Sequence, residues 1–357
     1  MLVGHAAYDP DQYEEAREKF METGRRLVPR LMGIVAVCLT LAACNTGTTP
    51  SANTSPGSAK QFTVVMIGFT QQEAFWHSVQ KGAEQAGNDF GVTVKYSAPT
   101  VGSDAAMIAL LDSAIATKPD GIALEYRGKD MEAITKTALG AGIKVVLYNN
   151  NRFEQSASSA ATTDPAITTL AYVGQDEHHS GEVLATALLK YLPSGGGRVL
   201  IVNPNPPSLV LGLRLEAAKA LLVAHGYSPD VLLATQDVTQ NLALTGAYLQ
   251  AHPDTKGILS LSVPGTSPAA QYVDQNKLNV PVCGFDLDPV GFALMKGGGS
   301  LKCILDQQPY LQGYLPIMNL ALALKSGFSP VSVNTGSLII DNTNMAQVEK
   351  LINAGLD

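Results

Sequence analysis

Carboxylates, carboxamides and aromatic rings recur in this chain just where apolar runs end. Residues 69–76 follow the β-branched run 62–68, residues 125–127 follow 121–124, and residues 149–152 follow 144–148. The same change from apolar to polar occurs at 175–176, 203–205, 260–262, 286–288 and 306–308. Groups of these types suit a polyhydroxylated ligand, because every hydroxyl both donates and accepts. A flat ring face suits Phe75 or Trp76 by stacking. Each polar residue also has a structural role open to it as a loop residue or helix cap, and that is the reading for Ser208 and Asp288. The argument rests on the recurrence, not on one residue.

Catalytic and metal chemistry find little foothold. The sequence has no Gly-x-Ser-x-Gly elbow and no His-Glu-x-x-His pair. His178 and His179 are adjacent, so on a helix they diverge and do not share a metal. Gly195, Gly196 and Gly197 precede an apolar run instead of following one, and read as a turn rather than a phosphate loop. No cofactor is expected.

The elements that must position the strand-end residues alternate in type. Runs at 62–68, 92–96, 121–124 and 144–148 read as strands. Between them, 75–90 has helical spacing at Phe75, Val79, Ala83 and Ala86, 103–116 is a helix with Ser103 as N-cap, and 130–139 is a third helix. The pattern then starts again. Strands are expected at 170–174, 199–202, 231–234, 257–261, 280–285 and 301–305, with helices at 181–191, 213–225 and 242–251. This order gives an α/β chain of two doubly wound parallel-sheet units covered by helices on both faces. Ligands bind such sheets beyond the carboxyl ends of the strands.

A net charge of −7 gives no electrostatic footprint for nucleic acid. Basic Arg25, Arg26 and Arg30 precede the short apolar run 31–43, which is too short to span a bilayer and has the layout of an export signal. Leu41, Ala42, Ala43 and Cys44 resemble the lipobox of bacterial lipoproteins, which implies lipidation of Cys44 and a membrane anchor on the outer face of the cytoplasmic membrane or in the periplasm. The charged stretch before Met21 reads as a mis-called translation start. Residues 45–60, rich in Thr, Ser, Pro and Gly, read as a flexible tether. Cys283 and Cys303 remain in the folded part. Two lone cysteines outside the cytoplasm often pair, and two small buried hydrophobes are the other reading.

From residue 62 to 356 the chain resembles the periplasmic ribose-binding-like receptors of bacterial ABC sugar importers. Residues 69–76 with Gly82 are similar to their first-strand loop and helix, 142–146 to their fourth strand, and 173–176 with Gly181 to their first hinge crossing. Residues 281–286 are similar to their Gly-Phe-Asp strand end, and 306–314 to a signature of one branch. The resemblance implies the periplasmic binding protein type I fold, with two lobes joined by a three-strand hinge. The N-lobe would be 61–174 with 308–333, and the C-lobe 175–307 with 334–357.

Carried over residue by residue, Phe75 and Trp76 would sandwich a sugar ring, while Glu125, Asn149, Arg214, Asp286 and Gln307 would hydrogen-bond its hydroxyls. Ser262 and Gln236 align with further contacts. Two positions depart from the ribose pattern. An Asp-Arg pair is replaced by Asn149 and Asn150, and an Asn by Glu73. Glu73 and Glu125 would favour an amine-bearing ligand or one with more hydroxyl donors. Arg214 and Asp286 are expected at the lobe surface of an open cleft, and family topology would bring the strands of Cys283 and Cys303 together.

The resulting expectation is a monomeric, lipid-anchored solute-binding protein that captures a monosaccharide or polyol and delivers it to an ABC permease, without catalysis. A receptor that reports to a membrane sensor or chemoreceptor is the alternative. A related repressor would need a helix-turn-helix where the export signal stands.

Overall fold

The computed structural model describes residues 60–150 and 167–354. The proposed export signal, Cys44, all of the tether but Lys60, and Arg152 lie outside the described residues. The β-branched runs form strands β1 (Thr63–Ile67), β2 (Thr93–Ser97), β3 (Gly121–Leu124), β4 (Lys144–Tyr148) and β5 (Tyr172–Gly174). Helices α1 (Ala74–Phe90), α2 (Asp104–Ala116) and α3 (Glu132–Gly140) connect the first four. Val64, Val65, Met66 and Ile67 of β1 are all buried, as a parallel strand covered on both faces must be. On α1 the buried positions include Phe75, Val79, Ala83 and Ala86, the stripe expected from the spacing, and Gly91 ends the helix at φ 60°. Ser103 caps α2 by accepting from the Ala106 N–H.

The second half repeats the plan with β6 (Gly197–Asn203), β7 (Tyr227–Leu233), β8 (Thr255–Ser260), β9 (Val282–Phe285) and β10 (Leu301–Asp306). Its helices are α4 (Glu177–Leu189), α5 (Leu209–Ala224), α6 (Val238–Ala251), α7 (Val263–Gln275) and α8 (Pro289–Lys296). Then come α9 (Pro309–Ser326), β11 (Val333–Asn334), β12 (Leu338–Ile340) and α10 (Met345–Ala354). Three of these helices begin about one turn before the expected starts at 181, 213 and 242. Asp176, Ser208 and Asp237 cap them through their side chains, and the first turn follows the cap rather than the apolar period.

Helices α7 and α9 depart most from the expected elements, because prolines hide them. Pro264 and Pro309 occupy first-turn positions, where a missing N–H costs nothing. Pro268 lies inside α7 and frees the carbonyl of Pro264, four residues back. The fully buried Asn241 of α6 donates its Nδ2 to that carbonyl at 2.7 Å. A side chain from a neighbouring helix thus replaces the lost backbone bond.

Two six-stranded sheets result, ordered β11-β5-β4-β3-β1-β2 and β12-β10-β9-β8-β6-β7. All pairings are parallel except β10 with β12. Each order reverses direction beside its first strand, between β1 and β3 and between β6 and β8, which creates a crevice at that point. The chain passes from one sheet to the other after β5, after β10 and after β11. These three passages lie side by side. Gln175 Nε2 donates to the Gly336 carbonyl at 2.6 Å, and Thr335 Oγ1 donates to the Gln307 carbonyl at 3.1 Å.

Cys283 and Cys303 stand opposite each other on the parallel neighbours β9 and β10 and form a disulfide with a Cα–Cα distance of 4.7 Å. Both are buried. Closing a loop with a sequence separation of 20 contributes about 3 kcal/mol in the chain-entropy account.

Candidate functional site

The carboxyl ends of both sheets open onto one cavity of about 80 Å3. Glu73, Phe75 and Trp76 reach it from the loop after β1 and the start of α1, Glu125 from the end of β3, and Asn149 and Asn150 from the end of β4. From the other sheet come Arg214 on α5, Gln236 ahead of α6, Ser262 after β8 and Asp286 after β9. Gln307 lines the cavity from the passage between β10 and α9. All eleven site residues expected from the sequence therefore line one space. Gln175, Asp176, Asn203, Asp288 and Asp306, which also end strands or follow them, are not among its lining residues. Asp176 and Asp288 are helix caps, Gln175 ties two interlobe passages together, and Asn203 Oδ1 accepts from the Asn205 N–H.

On the first-sheet side, charged and amide groups form a continuous network. Arg127 donates from Nε to Asp104 at 2.8 Å and from Nη1 to Glu125 at 2.6 Å, and its guanidinium lies 3.9 Å from the Phe69 ring centroid. Asn150 Nδ2 donates to both Glu125 Oε1 and Asn149 Oδ1, and Asn149 Nδ2 donates to Gln312 at 3.0 Å. Gln312 in turn donates to the Gln307 carbonyl at 3.1 Å. Asn149 adopts φ 58°, a left-handed conformation that Asn tolerates better than most residues. This network holds the floor of the cavity to the passage that carries Gln307. Burial pushes the Glu125 carboxyl up in pKa against the pull of Arg127. Glu73 is raised from 4.5 to about 7, first by burial and then by the charges of Asp286 and Glu125.

On the second-sheet side, Gln307 Nε2 donates to both oxygens of Asp286 at 2.8 Å. Asp288, not Asp286, caps α8, accepting from the Gly291 N–H at 2.6 Å. Among the described residues, two buried acceptors in the lining have no partner, Glu125 Oε2 and Gln307 Oε1.

Two expectations need correction. Arg214 is not a lobe-surface residue. It is 2% exposed, with Nε donating to fully buried Glu177 at 2.6 Å, Nη1 donating to the Leu261 carbonyl at 2.9 Å, and the guanidinium 3.9 Å from the Phe285 ring centroid. Phe75 and Trp76 also do not form two facing walls. Their ring centroids are 4.9 Å apart and their planes cross at 75°, so the rings touch each other edge to face. A third ring does not fit between them, because parallel stacking on both sides needs about twice the usual contact distance. Trp76 is further held by Phe69 and Tyr148, at 6.3 Å each.

Arg127, Phe69, Val210, Leu211 and Pro264 also line the cavity and were not singled out from the sequence. Arg127 and Phe69 lie in the strand-end runs, and that was their available signal. Val210 and Leu211 face the cavity from the first turn of α5, which the apolar period places outside the helix.

The comparisons with known proteins fit this geometry. Residues 64–327 match the family model of the periplasmic binding protein domain. The xylose/arabinose-binding protein XylF of Sulfolobus acidocaldarius is 25% identical over 291 residues, covering 79% of this chain and 71% of that protein. A periplasmic sugar-binding protein of an ABC sugar transporter from Legionella pneumophila has a TM-score of 0.70 at 26% identity, over 77% of this chain and all of that one. A carbohydrate transporter protein from Acidothermus cellulolyticus, solved in complex with myo-inositol, also has a TM-score of 0.70 at 26% identity, over 84% of this chain and all of that one. With two parallel α/β lobes whose strand ends share one cavity, and with that match over most of its folded length, the chain belongs to the periplasmic binding protein domain family.

Proposed function

We propose that this protein is an extracytoplasmic solute-binding protein that closes its two lobes over one monosaccharide or cyclic polyol and delivers it to the permease of an ABC importer. One observation carries the reading. Among the described residues, Glu125 Oε2 and Gln307 Oε1 are buried acceptors without donors in the wall of a small cavity. Leaving such an acceptor unsatisfied costs about 1–3 kcal/mol, and a ligand hydroxyl would remove that cost. Arg214 offers the complementary donor, since its Nη2 is engaged by none of the bonds that hold Nε and Nη1. A cavity of 80 Å3 has room for roughly six water-sized groups, taking ~10–15 Å3 for each. The space is that of one small molecule, not of a disaccharide or a peptide. One aromatic face, with Val210 and Leu211 across the cleft, would take the ring's apolar side.

The lobes in this reading are 61–174 with 308–333 and 175–307 with 334–357, turning about the three passages between the sheets. The protein works as a monomer and captures its ligand without turnover. Calorimetric titration with D-xylose, L-arabinose, D-arabinose and myo-inositol tests it. At least one should bind with Kd of ~10 μM or tighter, and no binding by any of them would defeat the reading. Asp286→Gly, which suits the φ of 61° at that position, should weaken binding at least ~10-fold by removing a charge-assisted acceptor. The ligand-free melting temperature should stay near wild type, because the cap of α8 is Asp288. Wild-type affinity in this variant would remove Asp286 from the site.

We also propose that residues 21–43 direct export and that acyl chains on Cys44 tether the protein to the membrane through the 45–60 linker. The observation behind this is the basic, apolar and small-residue order ahead of Cys44. Cys44→Ala should move the protein from the membrane fraction into the soluble one. Unchanged detergent partitioning would refute the anchor.

A further inference from the structure

Gln312 is not among the residues that line the cavity, but it hydrogen-bonds two that do, Asn149 and Gln307. It is fully buried in the first turn of α9. Gly313, the next residue, lets α9 approach α1 so closely that a Cβ there would lie 1.9 Å from the Val79 carbonyl oxygen. The Gln312 amide joins three segments at once. Nε2 donates to the Gln307 carbonyl at 3.1 Å and to Thr335 Oγ1 at 3.5 Å, while Oε1 accepts from Asn149 Nδ2 at 3.0 Å. Gln307 and Thr335 belong to two of the passages between the sheets, and Asn149 follows β4.

The direction of these bonds is not a free choice. A carbonyl can only accept, and Thr335 Oγ1 gives its one proton to the same Gln307 carbonyl at 3.1 Å. Both partners at that end are therefore acceptors, so Nε2 must face them and Oε1 must face Asn149. Asn149 must then turn Nδ2 to Gln312 and Oδ1 to Asn150. Asn150 Nδ2 donates to that oxygen at 2.9 Å and also to Glu125 Oε1. The Glu125 carboxylate demands the same order from the other end, since it too only accepts. Three amides in series satisfy acceptors at both ends in this one arrangement, and Gln312 is the link where the two demands meet.

We propose that Gln312 is a positioning residue for ligand capture, fixing the donor–acceptor order of the Asn149–Asn150–Glu125 chain and holding that chain to the passage that carries Gln307. The inference rests on the sugar-binding reading above and deepens it. A side chain of the same length without an amide leaves Asn149 Nδ2 and the Gln307 carbonyl each one partner short. Asn149 can then turn its amide over, which sets its Nδ2 against that of Asn150. The polar faces that Asn149 and Asn150 present to the cavity change with it. A buried glutamine that served only stability would do none of this. Its loss would lower the melting temperature and leave the affinity of the folded protein intact.

The test is calorimetric titration of Gln312→Met and Gln312→Glu beside wild type, with D-xylose, D-arabinose and myo-inositol as probes. Gln312→Met keeps the length and removes the amide. It should bind the tightest wild-type probe ~10-fold or more weakly, by the same factor at every pH. Gln312→Glu carries its own control. With a proton, its carboxyl donates to the Gln307 carbonyl and accepts from Asn149, as the amide does. Ionised, it can only accept, and it faces two acceptors. Burial raises the pKa of such a carboxyl, so the ionised form is read at pH 9.5 and the protonated form at pH 5.5. Relative to wild type at the same pH, its affinity should be within about 3-fold at pH 5.5 and down ~10-fold or more at pH 9.5. Taking the ratio removes the titration of Glu73, Glu125 and Asp286, which both proteins share. If Gln312→Met does not fold, the two Gln312→Glu ratios decide. Wild-type affinity in Gln312→Met, or a Gln312→Glu ratio that is the same at both pH values, overturns the inference while leaving sugar binding standing. If wild type binds no probe, the sugar-binding reading falls and this inference falls with it.

Discussion

Arg214→Ala should abolish high-affinity capture and also destabilise the ligand-free protein by about 3–5 kcal/mol. The second effect follows from what the guanidinium does before any ligand arrives. Glu177 is fully buried, its Oε1 has no partner among the described residues, and Arg214 Nε holds its Oε2. Removing Arg214 leaves a buried carboxylate with no compensation, which is the costly way to break a buried pair. The Leu261 carbonyl loses its donor and the face of Phe285 its cover in the same step. Burial already raises the Glu177 pKa, with Arg214 pulling it down. In the variant the folded-state value rises further above the unfolded value of about 4.3. The penalty is therefore small below that pH and grows as pH rises through the window above it. Denaturant titrations at pH 4 and pH 7.5 should show the larger loss at pH 7.5. A double variant, Arg214→Met with Glu177→Met, removes both charges and should recover most of the stability without recovering affinity. Normal stability of Arg214→Ala at pH 7.5 would show that the pair is not buried as described. Sugar affinity retained in the double variant would take Arg214 out of the site.

That double role marks the boundary of what the sequence discloses. In a parallel sheet every strand points the same way, so residues that follow apolar runs must collect at one edge. This is why Glu73, Glu125, Asn150, Ser262, Asp286 and Gln307, separated by up to 234 positions, line a single cavity. The rule places residues at the edge but does not say what they touch there. The pairing of Arg127 with Asp104 spans 23 positions, and that of Arg214 with Glu177 spans 37. Neither pair has a periodic or motif signature, so the burial of Arg214 was not legible. The edge-to-face contact of Phe75 with Trp76 is likewise a matter of rotamers, to which helical spacing is blind. Helices were legible where the apolar period ran unbroken, as in α1. They were hidden where Pro264, Pro268 or Pro316 interrupts the pattern and packing restores the helix. Asn241, which repairs the break at Pro268, reads in sequence as one more polar residue on a helix.

The close crossing of α1 and α9 gives the other large effect. Gly313→Ala should destabilise the protein by about 3 kcal/mol, although helix propensity alone would make it more stable by about 1 kcal/mol. The two helices meet backbone to backbone at a pair of glycines. A Cβ on Gly313 would lie 1.9 Å from the Val79 carbonyl oxygen of α1, and one on Gly82 would lie 2.0 Å from the Tyr310 carbonyl oxygen of α9. Neither obstacle is the end of a flexible side chain, so the helices themselves must separate. Separation would be felt in the cavity. Phe75 and Trp76 sit in the first turn of α1, and Gln307 lies two residues before α9 begins. Sugar affinity should therefore fall along with stability. Gly140→Ala at the exposed end of α3, where a Cβ meets nothing within 4 Å, is the control and should be neutral or stabilising. Denaturant unfolding of the two variants beside wild type decides the matter. If Gly313→Ala is as stable as Gly140→Ala, the crossing is looser than a glycine contact requires. The positions of the aromatic pair and Gln307 would then not depend on it.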